Sequence, residues 1–416
     1  MTEAEQVTPA GQARLAEFLA RPGVAQVLAL LNGAGEEARV VGGAVRNLLL
    51  GEPASDIDLA TTALPTETMR RAKAAGFKAI PTGIEHGTVT LAADGESFEV
   101  TTLRRDVETD GRHATVAFGR DFSEDALRRD FTVNALGLDS EGRVHDYCGG
   151  LADLVARRIR FIGDAAERIR EDYLRILRFF RFHARYGAGS LDEAGLKACI
   201  AGRAGLDGLS RERVRAELLK LLVAPGAVQA VEAMAGGGLL MPVLGGVPYL
   251  SRFAAVAGGK GGEQVYPAFR LAALAVAAKE DALRLRERLR LSNEEFDRIE
   301  RIAGALEGLS GRGEIPGVAA LRHLAHRLGA DAVAGGLVLL AAGSDGMSTQ
   351  QAIAELGRTP AFLPSGRDVM KRGIPAGPDI GRVLESARHG WVEAGCPAGE
   401  AEQIGFIEKA IAVLPR

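Results

Sequence analysis

Two adjacent stretches, VVGGAVRNLLLG at residues 40–51 and SDIDLATT at residues 55–62, carry the clearest structural signal in this 416-residue chain. The pattern predicts a short buried strand, a Gly-Gly turn, one or two helical turns, a loop and a second strand. Gly42 and Gly43 let the backbone approach a ligand closely and leave amide groups pointing outward where the helix begins, which suits a phosphate chain. Arg46 follows one turn into that helix, within reach of the same anion.

The second strand carries two carboxylates, Asp56 and Asp58, separated by one residue. Both side chains therefore leave the same face of the strand, while Ile57 and Leu59 point into the core. Paired carboxylates of this kind can hold Mg²⁺, which prefers a few carboxylates, waters and phosphate oxygens. A lone Gly-Gly is usually a plain turn, and a lone Asp-x-Asp is usually a solvated strand end. Their close succession predicts a site for a nucleoside triphosphate and a metal ion.

The composition is that of an ordinary globular protein, with 47% apolar and 25% charged residues. No apolar run approaches the ~18 residues of a membrane span, and the N-terminal residues carry Glu3 and Glu5 rather than a basic stretch. We therefore expect neither export nor membrane insertion. The three cysteines are widely spaced along the chain, which predicts reduced thiols in the cytoplasm rather than a zinc cluster or disulfides.

The distribution of charge is more informative than its sum of -3. Residues 157–185 contain nine arginines and four acidic residues. A local positive stripe can bind a phosphate backbone even on a protein of negative net charge. The alternative for such a run is a solvated helix face.

The combination of GGxVRxxLLG with Asp56-x-Asp58 resembles the first motif of the class II CCA-adding enzyme and bacterial poly(A) polymerase family. That family usually has Asp where this chain has Asn47. RRDFTVNAL at residues 128–136 resembles the second motif, and DYCGGLADL at residues 146–154 resembles the third. An Arg-Asp pair beside a nucleotide can contact phosphate oxygens and accept hydrogen bonds from ribose hydroxyls. The alternative for the second motif is an ion pair at a helix N-terminus.

EDYLRILRFFRF at residues 171–182 is predicted to form one helix in which Asp172 and Arg175 share a face. It resembles the fourth family motif, with Tyr173 where the family has Pro. Cytosine and adenine both present an amine donor beside a ring nitrogen acceptor, so a carboxylate with a guanidinium offers them the matching pattern. Guanine and uracil would meet unlike partners there. An i,i+3 ion pair without a role in recognition is the alternative.

A third carboxylate, Glu99, lies in the last of three predicted strands, at residues 77–80, 88–92 and 97–102. It points away from Phe98 and could face the metal carboxylates, where nucleotidyl transfer commonly uses a carboxylate near the primer hydroxyl. A simple edge-strand Glu is the alternative. Residues 103–122 lack periodicity and contain the turn signal DGR at 110–112, so a mobile loop is expected; it resembles the flexible loop of CCA-adding enzymes.

The resemblance implies an α+β protein. Its nucleotidyltransferase head of mixed sheet and helices would span residues 1–150. Helical neck, body and tail domains would span residues 151–225, 226–345 and 346–416. The stretch at residues 209–222 resembles a fifth motif that closes the neck, and the tail would bind tRNA.

The resemblance also implies the activity: template-independent addition of C, C and A to tRNA 3′ ends from CTP and ATP, with Mg²⁺ as cofactor. Asp56, Asp58 and Glu99 would be catalytic, and Asp56 and Asp58 would hold the metal. The nucleotide would be bound by Gly42, Gly43, Arg46, Arg129, Asp130, Asn134, Asp172, Arg175, Arg178 and Arg181. We expect a cytoplasmic enzyme with tRNA, ATP and CTP as partners, no membrane association and no obligate protein partner.

Two other functions fit the same sequence. A poly(A) polymerase would share the head and neck motifs, although GIEHGTVT at residues 83–90 is more similar to CCA-adding members and the C-terminal end is not basic. The second is a catalytically silent tRNA-binding protein. Loss of an existing activity in an Asp56→Ala variant would exclude the latter.

Overall fold

The computed structural model describes residues 7–54, 56–109, 114–259, 266–310, 315–341 and 347–414. The chain forms two compact units, Met1–Leu209 and Ser210–Arg416. The predicted fold class, a head with a mixed sheet followed by helices, is confirmed. The finer division into head, neck, body and tail stays a prediction.

The first unit combines helices with a sheet. Its regular elements are, in chain order, α1 (Pro9–Leu19), α2 (Pro22–Leu31), β1 (Ala38–Val41), α3 (Gly43–Leu50), β2 (Ile57–Thr61), α4 (Pro65–Ala74), β3 (Lys78–Gly83), β4 (Thr88–Ala93), β5 (Glu96–Thr102), β6 (Arg104–Thr109), β7 (Ala114–Phe118), α5 (Phe122–Leu127), β8 (Leu136–Leu138), β9 (Val144–Asp146), α6 (Gly150–Val155), α7 (Ala165–Glu171), α8 (Leu174–Tyr186) and α9 (Glu193–Ala201). Short 3₁₀ turns are found at Ile84–His86, Thr132–Asn134 and Arg203–Gly208.

Seven strands form one sheet in the order β3-β4-β5-β2-β1-β8-β9. Strands β2 and β5 are parallel, and the other neighbours are antiparallel. Alternation places Ile57 and Leu59 of β2, and Phe98 and Val100 of β5, in the core, each at most 3% exposed. The opposite face of the same strands is thereby left for polar side chains.

The expectation of an irregular loop at residues 103–122 is wrong in part. Strands β6 and β7 pair as an antiparallel hairpin from Arg104↔Phe118 to Thr109↔Ala114, and α5 begins at Phe122. A separate two-stranded ribbon is held by main-chain pairing, so it need not show the apolar alternation of a half-buried strand. The predicted turn at residues 110–112 lies outside the described residues.

The predicted single helix at residues 171–182 is also wrong. Helix α7 ends at Glu171, Asp172 is extended with φ -154° and ψ 106°, and α8 begins only at Leu174. The cause is local, because Asp172 Oδ1 accepts a hydrogen bond from the Leu174 amide at 3.0 Å. The Asp172 side chain therefore holds the first amide of α8 and does not share a helical face with Arg175.

In the part of the second unit that the structure describes, every regular element is a helix. Its helices are α10 (Arg211–Leu222), α11 (Ala227–Gly236), α12 (Leu240–Leu244), α13 (Leu250–Gly258), α14 (Pro267–Ala275), α15 (Lys279–Leu289), α16 (Asn293–Leu309), α17 (Val318–Leu328), α18 (Ala330–Ala341), α19 (Met347–Gly357), α20 (Gly366–Met370), α21 (Pro378–Glu393) and α22 (Glu400–Ala412).

Two of the apolar clusters of the second unit lie in its middle and C-terminal parts. One joins α16 to α18 through buried residues that include Leu309, Leu321 and Leu337. The other joins α20, α21 and α22 through Val369, Val383 and Ile407. Among the described residues, we find no helix with both the length and the hydropathy of a membrane span.

Candidate active site

The turn between β1 and α3 has the backbone geometry that the two glycines predict. Gly42 has φ +72° and ψ -124°, a conformation that residues with a Cβ rarely adopt. A Cβ atom at this position would also lie 3.1 Å from Arg129 Nη1. The backbone conformation thus favours glycine at position 42, and a larger residue would also push the Arg129 guanidinium aside.

The register of the sheet brings two of the predicted carboxylates side by side. Asp58 of β2 lies opposite Val41 in β1 and opposite Glu99 in the parallel neighbour β5. Asp56 precedes β2, and all three carboxylates are exposed. The sequence predicted which face Glu99 occupies, and the pairing of β2 with β5 places it beside Asp58.

The electrostatics of this face favour a cation. Although Asp58 is exposed on the face of its strand, partial desolvation within the cleft and the negative charges of Glu99 and Asp56 together raise its pKa to about 6, against the opposing positive charge of Arg129. The side chain keeps contact with solvent, so water still screens these charges. Mutual repulsion of this kind is relieved when a divalent cation binds.

Among the residues that the structure describes, no three His, Cys, Asp or Glu side chains converge on one point. A cation on this face would therefore take ligands from Asp56 and Asp58 and complete its shell with water and phosphate oxygens. That is the ligand set that Mg²⁺ adopts in phosphoryl-transfer sites. The residues present fit such an ion.

Arg46 lies in the wall of the cleft and is only 6% exposed. Its guanidinium donates hydrogen bonds to Asn47 Oδ1 at 2.9 Å, to Asn134 Oδ1, and to the Tyr186 hydroxyl at 2.8 Å. It also stacks on the Tyr186 ring, 4.1 Å from the centroid. These contacts hold the guanidinium firmly beside the phosphate turn.

One buried carboxylate, Asp125, orients two arginines at the end of α5. It is 4% exposed, and each of its oxygens accepts from one guanidinium. Oδ1 accepts from Arg128 at 2.5 and 2.9 Å, and Oδ2 accepts from Arg129 at 3.1 and 3.3 Å. Although burial opposes it, the charges of Arg129 and Arg128 hold the pKa of Asp125 below its usual value.

A second buried carboxylate, Asp130, is paired with Arg178 of α8. Arg178 Nε and Nη2 lie 2.8 and 2.6 Å from Asp130 Oδ2, and the other oxygen accepts from Asn134 and from the Phe131 amide. Burial would raise the pKa of Asp130, but Arg178 and these hydrogen bonds hold it below its usual value. In this structure Asp130 positions Arg178 and Asn134 along the cleft.

Asp172 and Arg175 both line the cleft despite the break between α7 and α8. Arg175 Nη1 lies 2.5 Å from Glu171 Oε2 and also donates to the Arg168 carbonyl at 2.9 Å. Tyr173 stands where the family has Pro, and its ring packs against Gly205. A Cβ atom on residue 205 would come within 2.0 Å of the Tyr173 ring. The helix start is thus stabilised by a contact that the sequence pattern did not indicate.

Arg181 is the predicted nucleotide-binding residue that does not line this cleft. Its guanidinium stacks on Phe182, 4.4 Å from the ring centroid, and its charge acts on Arg46 nearby. Residues at three-residue spacing rotate around the helix by about 60° at each step. Arg181 therefore lies farther round α8 than Arg178.

Two adjoining clefts share Asp58, Arg128 and Arg129. The first has a volume of about 420 Å³ and contains the phosphate turn, Arg46, Asp130, Asn134, Asp172, Arg175 and Arg178. The second has a volume of about 330 Å³ and is lined by Glu99, His86, Thr88, Thr101 and Arg104, among others. Asp58 thus lies between the two clefts, and of the predicted site residues only Asp56 and Arg181 line neither of them.

Sequence reasoning missed three residues that organise the site: Asp125, Asp153 and Tyr186. Asp153 is fully buried and accepts from Thr132, Arg158 and Arg160, which fixes the turn at Thr132–Asn134. The only signal for Asp125 was its spacing of three and four residues before Arg128 and Arg129, which is the ion-pair spacing of a helix. Tyr186 carried no signal, because its partner lies 140 residues away in the chain.

The fold and the site together define a nucleotidyltransferase with a poly(A) polymerase type of head. Residues 38–160 match the Poly A polymerase head domain, and residues 189–253 match the family described as "Probable RNA and SrmB- binding site of polymerase A".

Similarity to individual proteins narrows the family to which the chain belongs. It is 36% identical over 382 residues to mouse CCA tRNA nucleotidyltransferase 1, mitochondrial, with 90% of this chain and 87% of that protein covered. The CCA-adding enzyme of Geobacillus thermodenitrificans is 44% identical over 215 residues, about half of each chain. The structure of Bacillus stearothermophilus CCA-adding enzyme in complex with CTP matches with a TM-score of 0.72 at 30% identity, covering 96% of this chain and 98% of that one. The chain belongs to the class II CCA-adding enzyme family, and the predicted resemblance is confirmed.

Proposed function

We propose that this protein is a tRNA nucleotidyltransferase that adds C, C and A to tRNA 3′ ends from CTP and ATP, without a nucleic-acid template. The observation that carries the proposal is the first cleft. There, the phosphate turn, the carboxylate of Asp58 and the pair Asp172 and Arg175 face one space of about 420 Å³. One nucleotide could meet groups for its phosphates, its reacting centre and its base in that space.

The triphosphate would lie against the phosphate turn. Gly42 and Gly43 offer close backbone approach, and Arg46 and Arg129 lie beside them. Asp130 and Asn134 would line the ribose, and Arg178 would reach the phosphates while anchored on Asp130. We also propose a phosphate contact for Arg181, with its long arm, since its charge already acts near Arg46.

Asp56 and Asp58 would hold divalent metal, and we propose Mg²⁺. When bound, the metal would supply charge stabilisation for the developing oxyanions and lower the pKa of the attacking hydroxyl. The raised pKa of Asp58 supports the assignment, because burial and the charges of Glu99 and Asp56 outweigh the positive charge of Arg129 at this carboxylate. Glu99, next to Asp58 in the sheet, would face the primer hydroxyl.

The second cleft would receive the terminal nucleotide of the RNA. An in-line transfer needs the attacking hydroxyl on the side of the α-phosphate opposite the pyrophosphate. With the triphosphate in the first cleft, that side is the second cleft, which shares Asp58 and carries Glu99. Arg128 and Arg129 border both spaces and would contact phosphates of both substrates.

Base choice would come from Asp172 and Arg175. An acceptor beside a donor matches the exocyclic amine and ring nitrogen of cytosine and adenine, and mismatches guanine and uracil. Arg175 is held by Glu171 and by the carbonyls of Arg168 and Arg128, which fixes the direction of its guanidinium. Asp172 has one oxygen engaged with the Leu174 amide, which holds the carboxylate at the edge of the cleft.

Other parts of the proposal concern the whole chain. We assign residues 1–150 to a catalytic head, 151–225 to a neck, 226–345 to a body and 346–416 to a tail that binds tRNA. We place the enzyme in the cytoplasm, with no membrane association and no obligate protein partner. Free cysteine thiols agree with a reducing compartment. Because one relative is named as mitochondrial, fractionation of the native host is the test of the location.

An omission assay tests the activity. A tRNA transcript that lacks its last three nucleotides is incubated with Mg²⁺ and with CTP alone, ATP alone, or both. We expect two additions with CTP alone, and the complete CCA end only when both are present. A poly(A) polymerase, the rival that the head family's description favours, would instead extend many RNAs with ATP alone. An inert wild-type protein would indicate a silent tRNA-binding protein.

A further inference from the structure

A buried arginine in the first cleft has only uncharged hydrogen-bond partners. The acceptors of the Arg46 guanidinium are two amide oxygens, from Asn47 and Asn134, and one phenol, from Tyr186. No carboxylate among the described parts of the chain accepts a hydrogen bond from it. Buried arginines are almost always paired with an anion, since an unpaired buried charge is costly.

The charges around Arg46 do not neutralise it. Burial lowers the pKa of Arg46, and the nearby cation Arg181 lowers it further, while Tyr186 and the carboxylate of Asp130 oppose this. Asp130 is itself engaged in the ion pair with Arg178. The wall of the cleft therefore keeps an excess of positive charge beside the phosphate turn.

We infer that Asn47 is a positioning residue that fixes the direction of Arg46 without neutralising it, so that the triphosphate of the bound nucleotide serves as the counter-ion of Arg46. Its carbonyl oxygen accepts from Nη2 at 2.9 Å and Nε at 3.2 Å, while its amide donates to the Pro53 carbonyl at 3.3 Å. That second bond orients the amide group. The inference rests on the proposed function only for the identity of the anion.

Asn and Asp have nearly the same shape, so Asn47→Asp isolates the charge. The new carboxylate would form charge-assisted bonds with Arg46 and stabilise the unliganded protein. It would also compete with the triphosphate, and we expect about ten-fold weaker binding of CTP and ATP alike, the loss of a single charged contact. Because the two nucleotides share the triphosphate, their ratio should not change.

The test is calorimetric titration of CTP, ATP and inorganic tripolyphosphate, without RNA, into the wild-type protein and the Asn47→Asp and Asn47→Ser variants. Asn47→Ser shortens the acceptor without adding charge and is the matched control. We expect Asn47→Asp to have a higher thermal midpoint when unliganded, to bind all three anions more weakly, and to approach the wild type at high salt. Asn47→Ser should lower the midpoint and show no such salt dependence.

The inference would be overturned if the wild type and Asn47→Asp had equal thermal midpoints and equal affinities for the three anions. Failure of Asn47→Asp to fold would also overturn it, because that variant is expected to be the more stable protein. A kcat change with an unchanged KM for the nucleotides would also overturn it. If the wild type binds tripolyphosphate but adds no nucleotide to tRNA, the proposed function fails, and the comparison of variants with tripolyphosphate still decides the role of Asn47.

Discussion

Asp125 offers a sharp test of how the site is organised. Its carboxylate is 4% exposed and accepts two hydrogen bonds each from Arg128 and Arg129, which border both clefts. Asp125→Asn keeps the shape of the side chain and removes its charge. Both guanidiniums then lose their ion pair and the fixed direction that it gives them.

The size of the effect follows from the geometry. A hydrogen bond to a charged group contributes about 1.5–3 kcal/mol, and breaking a buried ion pair costs about 3–5 kcal/mol. The side chains of Arg128 and Arg129 are 23% and 24% exposed, so water offsets part of the loss. We expect a loss of about 2 kcal/mol in the free energy of unfolding and, for catalysis, a fall of about 100-fold in kcat/KM.

The assay is steady-state incorporation onto a tRNA transcript, with urea unfolding measured in parallel. Asp139→Asn is the matched control, because Asp139 is 5% exposed and accepts from Arg143 and His145 but borders neither cleft. This control should lose stability and keep its kcat/KM for CTP. Wild-type kinetics in a folded Asp125→Asn protein, or an equal kinetic loss in Asp139→Asn, would refute the account of Asp125.

Three further variants test other parts of the site. Asp58→Asn should abolish incorporation, and wild-type activity should fall as the pH drops through about 6, where protons compete with the metal for Asp58. Folding raises the pKa of Asp58, so the stability that this group contributes is fully present below pH 3.8 and is lost as the pH rises through about 6. At pH 7 the unliganded Asp58→Asn protein should therefore unfold at a higher urea concentration than the wild type. At pH 3.5 the two proteins should unfold at the same urea concentration. Arg175→Ala should relax the choice of base: the ratio of GTP or UTP incorporation to CTP incorporation should rise by about ten-fold. An unchanged ratio would exclude a role of Arg175 in base recognition. Gly42→Ala should destabilise the protein by about 1–2 kcal/mol in thermal unfolding, because residue 42 has a positive φ. It should also raise the KM for the nucleotide by displacing Arg129. Unchanged stability and an unchanged KM would show that the turn adapts.

Local signals in the sequence predicted much of the fold. Alternation in β2 predicted that Asp56 and Asp58 leave one face, and the structure has Ile57 and Leu59 buried on either side of the exposed Asp58. Helix α4 ends at Ala74, and Gly76 just beyond it has φ +79°, the left-handed conformation that glycine favours after a helix. Such features depend on neighbours within a few residues, which is why they can be derived without the tertiary structure.

The remaining features depend on contacts between distant residues. Glu99 lies beside Asp58 only because β5 pairs in parallel with β2, a pairing that the periodicity of either strand does not specify. Tyr186 reaches Arg46 across 140 residues. The break at Asp172 arose from a side chain that competes with the helix for a backbone amide, although the apolar periodicity continues through it.

The central claim is that this site adds a defined sequence rather than a tail. The most direct measurement is the mass of the product formed when a tRNA transcript without its last three nucleotides is incubated with the wild-type protein, Mg²⁺ and all four nucleoside triphosphates. We predict a single product larger by two cytidylates and one adenylate, and no product with Asp58→Asn. A ladder of adenylates, incorporation of G or U, or an unchanged transcript with the wild-type protein would contradict the account.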